Sequence, residues 1–182
     1  MYKKLIVLLM FCSAMKAADF TDNHDLSRDI QVAVPLQTEN IDTIAIQPDV
    51  CLRWGSIVDT AKKYLGKRYL SGHQGPNAFD CSGFTSYVYA QEGIKIGRSS
   101  RDQFLEGEKI AIADLQKGDL VFFANPGKKS RINHVGIVTE VDNENNKFSF
   151  IHACRRGVTI DTYPDVAYYV KRYVSARRII ID

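Results

Sequence analysis

A chain of 182 residues, 45% hydrophobic and 25% charged, has the make-up of one ordinary domain with a proper core, which excludes a low-complexity or wholly disordered polymer. The formal charge of +3 is supplied by Lys3, Lys4 and Lys16, so the chain from Asp19 onward is near neutral. Residues 19–50 carry seven acidic side chains against Arg28 alone, and residues from Cys51 carry 20 Lys and Arg against 14 Asp and Glu, so a mildly basic globule follows an acidic segment.

The chain opens with "MYKKLIVLLMFCSAMKAADF": two lysines, an apolar run from Leu5 to Phe11, then small residues. That is the layout of a secretory signal peptide, too short to span a bilayer, and it predicts an exported protein whose first 18 residues are removed. Cys12 follows bulky Phe11, where a lipidated cysteine needs a small residue before it, so plain secretion to the periplasm, cell envelope or medium is expected. Residues 19–50 show no sustained period and read as a polar, extended or partly disordered leader. The folded domain is expected over 51–182. In "SIVDTAKKYLGKRY" the apolar positions Ile57, Val58, Ala61, Tyr64 and Leu65 fall at helical spacing, with Ser56 as N-cap and Gly66 as stop. The Gly- and Pro-containing loop "LSGHQGPNAF" leads into a second helix over Cys81 to Gln91. Ser99 or Ser100 caps a short third helix through Gln103 and Phe104. After Lys117 the period changes to strands: "DLVFFA", "HVGIVTEV", "KFSFIHA", "GVTIDTY" and "YVSARRIII". Helices first and an antiparallel meander afterwards predict an α+β domain.

The chemistry centres on "NAFDCSGFTSYVYA". Cys81 begins a helix, where unpaired amides and the positive end of the helix dipole face the first turn. There a thiolate is stabilised, the thiol pKa falls, and the same amides can hold an oxyanion. A base is needed as well. His24, in the leader, and His73, in the loop, read as solvent-exposed residues. His134 opens an apolar strand, and His152 ends the next one on the face of Phe148 and Phe150. Neighbouring strands of a meander bring the two imidazoles together, His134 as base and His152 as the group that orients it. Each alone reads more simply as a structural residue. No Cys-x-x-Cys or His-x-x-x-His pair is present, so a metal is not expected, and zinc held by Cys81, His134 and His152 has little support. Export permits a Cys51–Cys154 disulfide, which sequence alone does not establish. No Lys/Arg run is interleaved with aromatics, so nucleic acid is not an expected partner.

Taken together, "FDCSGF", "GRSSRDQF", "LQKGDLVFF", "NHVGIV" and "FIHA", in that order between about Ile57 and Ile180, resemble the NlpC family of bacterial cell-wall cysteine peptidases. The resemblance implies a compact papain-like fold with the nucleophile at a helix N-terminus on a small antiparallel sheet. It also implies cleavage of peptidoglycan stem peptides next to diaminopimelate, after γ-linked D-glutamate or at the D-alanyl cross-link, without a cofactor. Residue by residue, it assigns Cys81 as nucleophile, His134 as base and His152 as third, polar member. It places Tyr69 near the reacting carbonyl, and Asp80, Ser82 and Ser100 at the free amine and backbone of the stem; Asp80 also suits a plain helix N-cap. "SGHQG" departs from the Gly-Gly pair of many relatives, and the basic loop "NPGKKSRIN" reads either as a solvated tip or as a contact for wall carboxylates. With no wall-binding domain read ahead of the catalytic part, a more open cleft and a monomer are expected. Two other functions fit the same residues: an amidase or acyltransferase on this fold, and a wall-binding protein without activity.

Overall fold

The computed structural model describes residues 48–179, with side chains from Gly55 onward. The segment read as a signal peptide and nearly all of the leader lie outside the described residues. The first helix, α1, runs Pro48–Lys62 and so takes in three residues assigned above to the leader. Proline suits a first helical turn, where its missing N–H would have had no partner. Ser56 therefore lies inside the helix and not at its cap. Its hydroxyl donates to the Glu92 carboxylate, which also accepts from the Thr60 hydroxyl at 2.7 Å, and these bonds tie α1 to the far end of the next helix.

Two short strands, β1 (Arg68–Tyr69) and β2 (Ala78–Phe79), pair in parallel with Tyr69 opposite Phe79. Helix α2 (Cys81–Gln91) and the single turn α3 (Ser100–Gln103) follow. The remaining strands are β3 (Glu108–Ile110), β4 (Leu120–Ala124), β5 (Ile132–Asp142), β6 (Lys147–Cys154), β7 (Gly157–Tyr163) and β8 (Tyr173–Arg178); a turn of helix, α4 (Ala167–Val170), precedes the last. They form one antiparallel sheet in the order β3-β8-β4-β5-β6-β7. The expected meander is thus β4 to β7, and β8 returns to lie on the other side of β4.

The sheet is buried on both faces. In β4, Leu120, Phe122 and Ala124 face a core shared with Ile57, Phe84 and Val88 of the helices. Val121 and Phe123 face a second core with Val138, Phe148, Phe150 and Tyr169. Successive side chains of a strand point to opposite faces, so a strand covered on both sides shows an unbroken apolar run. Among the described residues no helix is long and apolar enough to cross a membrane.

Candidate active site

Cys81 is the first residue of α2, as its setting in the sequence predicts. Asp80 is the N-cap: its Oδ1 accepts the Gly83 N–H at 2.6 Å. The same carboxylate accepts from the Gly72 N–H at 2.9 Å and from both terminal nitrogens of Arg98 at 3.0 and 2.7 Å. Burial, the largest single influence, pushes the Asp80 carboxyl upward, but Arg98 and these amides outweigh it and leave it below its usual range. Asp80 is therefore an ionised cap with its charge balanced by Arg98. Gly83 has no room for a side chain, because a Cβ there would run into the His73 carbonyl oxygen. Gln103, fully buried, accepts from the Thr85 hydroxyl at 2.8 Å and donates to the Ser82 carbonyl at 3.1 Å, which locks α3 against α2. Ser82 and Ser100 are both buried.

The thiol itself departs from expectation. Burial raises the Cys81 pKa, the Asp80 charge raises it further, and the amides of Ser82, Val135 and Cys81 offset only part of the rise. The helix start acts in the predicted direction and is outweighed, because withdrawing a thiolate from water costs more than a few amide dipoles return. The surroundings of Cys81 thus favour its protonated thiol.

His134 and His152 meet as the meander requires. His134 Nε2 and His152 Nδ1 are 2.9 Å apart, and the rings stand perpendicular. His152, fully buried, continues the chain through Nε2 to Asp161 Oδ2 at 2.9 Å, and Arg156 donates to that same carboxylate oxygen. Asp161 was not among the residues selected from sequence. Its hydrogen bond from His152 is the main reason its carboxyl lies below the usual range. Burial lowers the pKa of both imidazoles, that of His134 down to about 3, and in His152 it outweighs the raising influence of Asp161. The resting chain is therefore a neutral imidazole, a second neutral imidazole and a carboxylate. Phe123, Phe150 and Tyr169 pack around the pair, with ring centroids 4.9 Å apart for Phe150 and His152 and 5.4 Å for Tyr169 and His152. Gly136 makes the crossing possible, since a Cβ there would press on Phe150 at 2.7 Å and on His152 Cβ at 3.1 Å.

The Val135 amide, next in the chain to His134, lowers the Cys81 pKa, and Cys81 packs against the core that holds Val135, so the thiol lies toward β5. No hydrogen bond joins the sulfur to either imidazole among the described residues. Tyr69 also belongs to this cluster. It lines a cavity with His134, and burial first, then the proximity of Cys81 and Asp80, raises its phenol. His73 is exposed, as expected, with Nδ1 3.2 Å from the Ser71 carbonyl oxygen. Cys154 is a free thiol, and the side chain of Cys51, its candidate disulfide partner, lies outside the described residues. Among the described residues no group of three His, Cys, Asp or Glu side chains is placed to hold a metal ion.

A cysteine at a helix start beside a histidine pair on a small antiparallel sheet is the layout of the papain-like fold. Residues 66–178 match the model of the NlpC/P60 family, and the chain belongs to that family. It is 51% identical over 81 residues to the probable endopeptidase p60 of Listeria seeligeri, covering 44% of this chain and 15% of that protein. It is 34% identical over 125 residues to the gamma-D-glutamyl-L-lysine dipeptidyl-peptidase of Bacillus cereus, covering 68% of this chain and 36% of that protein. The chain thus spans well under half the length of these curated relatives. Among solved structures, an NlpC/P60 family protein from Bacillus cereus has a TM-score of 0.64 at 32% identity, over 70% of this chain and 40% of that one. The NlpC/p60 domain of the peptidoglycan hydrolase SagA has a TM-score of 0.57 at 32% identity, over 69% of this chain and 98% of that one.

Proposed function

We propose that this protein is an exported cysteine peptidase that hydrolyses amide bonds in the stem peptides of bacterial peptidoglycan, with Cys81 as nucleophile, His134 as base and His152 with Asp161 as the groups that position it. One observation carries the reading: an unbroken relay of two 2.9 Å contacts runs from His134 through His152 to an ionised carboxylate behind a helix-start thiol. Charge fixes every proton along it. An ionised Asp161 accepts, so His152 holds its proton on Nε2 and leaves Nδ1 as a lone pair. His134 then donates from Nε2 to that lone pair, and its own Nδ1 is left bare for the thiol.

As a carbonyl carbon approaches, the sulfur attacks while its proton passes to His134 Nδ1, and the imidazolium is stabilised through His152 by Asp161. The oxyanion forms beside the Cys81 and Ser82 amides, since the Gly83 amide is already held by Asp80. His134 gives its proton to the departing nitrogen, which leaves a thioester. Water then attacks, His134 accepts its proton, and the thiol is released. Proton transfer during attack suits a thiol that is protonated at rest better than a preformed thiolate would.

The preferred bond is the one after γ-linked D-glutamate, in line with the Bacillus relative, whose name specifies a γ-D-glutamyl bond. Cleavage at the D-alanyl-diaminopimelate cross-link is the other outcome of the same test. Purified peptidoglycan is digested with residues 19–182 and with the Cys81→Ala variant, and the soluble products are weighed. Peptide fragments with a single type of new end, from the unaltered protein alone, are expected. Whole stems freed from glycan identify an amidase, and identical patterns from the two proteins exclude a Cys81 hydrolase. Export is tested by fractionating cells that make the full chain, with a product shortened at its start expected outside the cytoplasm.

A further inference from the structure

The cavity beside the site measures about 590 Å³ and is walled by Tyr69, Asn133, His134 and Arg155, among others. That is room for an amino-acid residue with a long side chain. His134 decides which part of a substrate lies there. The imidazole that takes the thiol proton must return it to the departing nitrogen, so the residue carrying that nitrogen occupies the cavity on the His134 side.

The charges in the walls are one-sided. Asp161 is the one carboxylate, and it is held by His152 and Arg156. Arg155 is exposed and has neither an ion-pair nor a side-chain hydrogen-bond partner among the described residues. It lines the same cavity as Tyr69 and His134, and its charge lowers the Tyr69 phenol while the Cys81 sulfur raises it. Beyond Asn133 an adjoining hollow of about 240 Å³ is walled by Arg101, Lys128 and Arg131, with no acidic residue. An anionic group entering from solvent meets an available planar cation, and an ammonium group meets no carboxylate that is not already paired.

We infer that Arg155 is a specificity residue, pairing a carboxylate on the substrate residue that departs with the amine, so that this side of the cleft prefers a carboxylate-bearing residue to one ending in an ammonium group. The inference rests on the hydrolase reading for which side departs. Two sources supply such a carboxylate. One is the side chain of a diamino dicarboxylic acid such as diaminopimelate, which differs from lysine by that single group, and the other is the α-carboxylate of a terminal residue.

Binding is measured on the Cys81→Ala protein, which cannot turn over, with L-Ala-γ-D-Glu-diaminopimelate and L-Ala-γ-D-Glu-L-Lys, each with a free or an amidated α-carboxyl end. The amidated diaminopimelate peptide is expected to bind about tenfold more tightly than the amidated lysine peptide, the difference a charge-assisted hydrogen bond makes. Adding Arg155→Gln removes the difference, and adding Arg155→Lys keeps most of it. A preference that instead follows the free α-carboxyl end, and also vanishes in Arg155→Gln, assigns the same guanidinium to the chain terminus. Equal affinity for all four peptides, no binding, or a preference that survives Arg155→Gln overturns the inference. Turnover of the same peptides by the protein with Cys81 intact separates the two readings. Selective binding without any cleavage removes the hydrolase and keeps the subsite, whereas cleavage without an Arg155-dependent preference does the reverse.

Discussion

Asp161 lies two hydrogen bonds behind His134. If its negative charge fixes the tautomers of both imidazoles, Asp161→Asn lets the amide present either its oxygen or its N–H to His152, and the relay loses its direction. A fall in kcat of about 10²-fold with KM nearly unchanged is expected, in the range general-base assistance supplies, and steady-state kinetics on a stem tripeptide checks it. The thiol makes a second prediction at this scale. With its pKa raised, alkylation of Cys81 by iodoacetamide should keep accelerating beyond pH 8.5, the ordinary thiol value, with no plateau at neutral pH. Mass spectrometry of the Cys81 peptide separates this from Cys154, and a plateau between pH 4 and 7 would show a preformed thiolate. Sequence reasoning found Cys81, His134 and His152 because each sits in a strong local setting: a helix start, a strand start, an apolar face. It missed Asp161, which in "GVTIDTY" looks like a solvent-facing acid on an outer strand. Phe150 is the residue directly opposite Asp161, so its meeting with His152 is a diagonal one across β6 and β7. A lone acidic residue carries no sign of such a pairing. The direction of the thiol shift was missed for a related reason, since the dipole is written in the sequence and the depth of burial is not.

Among the elements, α2 was legible to the residue because Asp80 is a strong cap and the apolar face starts with Cys81 itself. The five long strands were legible from their apolar runs, while β1, β2 and β3 have two or three residues each and no period to detect. The start of α1 was lost because "QPDV" resembles loop chemistry, although proline in a first turn is permitted. Two glycines report on how closely these elements approach. Gly83→Ala sets a methyl against the His73 carbonyl, and Gly136→Ala sets one against Phe150 and His152. Overpacking of this kind costs about 1–3 kcal/mol, so each variant should show a lowered midpoint in urea. Gly136→Ala should also reduce kcat, because the atom it displaces belongs to the relay. Unchanged stability in both would mean that the strands and helix separate more readily than their packing implies.

Over the whole molecule, two imidazoles held neutral, one buried and one half-buried, couple folding to pH. Both have folded pKa values below their unfolded ones, that of His134 at about 3 against the ordinary 6.5. Between those values the unfolded chain binds protons that the folded chain refuses, so stability is complete above about pH 6.5 and declines as pH falls through that window. Asp161, whose folded pKa is lowered, adds to the loss only below about pH 4, the unfolded carboxyl value. Asp119, raised chiefly by burial, runs the opposite way. Urea unfolding at pH 7.5, 6.5 and 5.5 should show a steady loss, and His134→Gln should flatten it by about one proton per molecule. An equal slope in that variant would place the titration elsewhere.

The position of β8 has a consequence for how the protein is made. It is the last of the described strands in the chain, yet it lies inside the sheet between β3 and β4. A ribosome can release the whole β4–β7 meander, histidines included, before the piece that covers its open edge exists. Until Tyr173–Arg178 emerges, β4 offers an unpaired row of amides and carbonyls, and the nascent chain is at its most adhesive just before that strand is made.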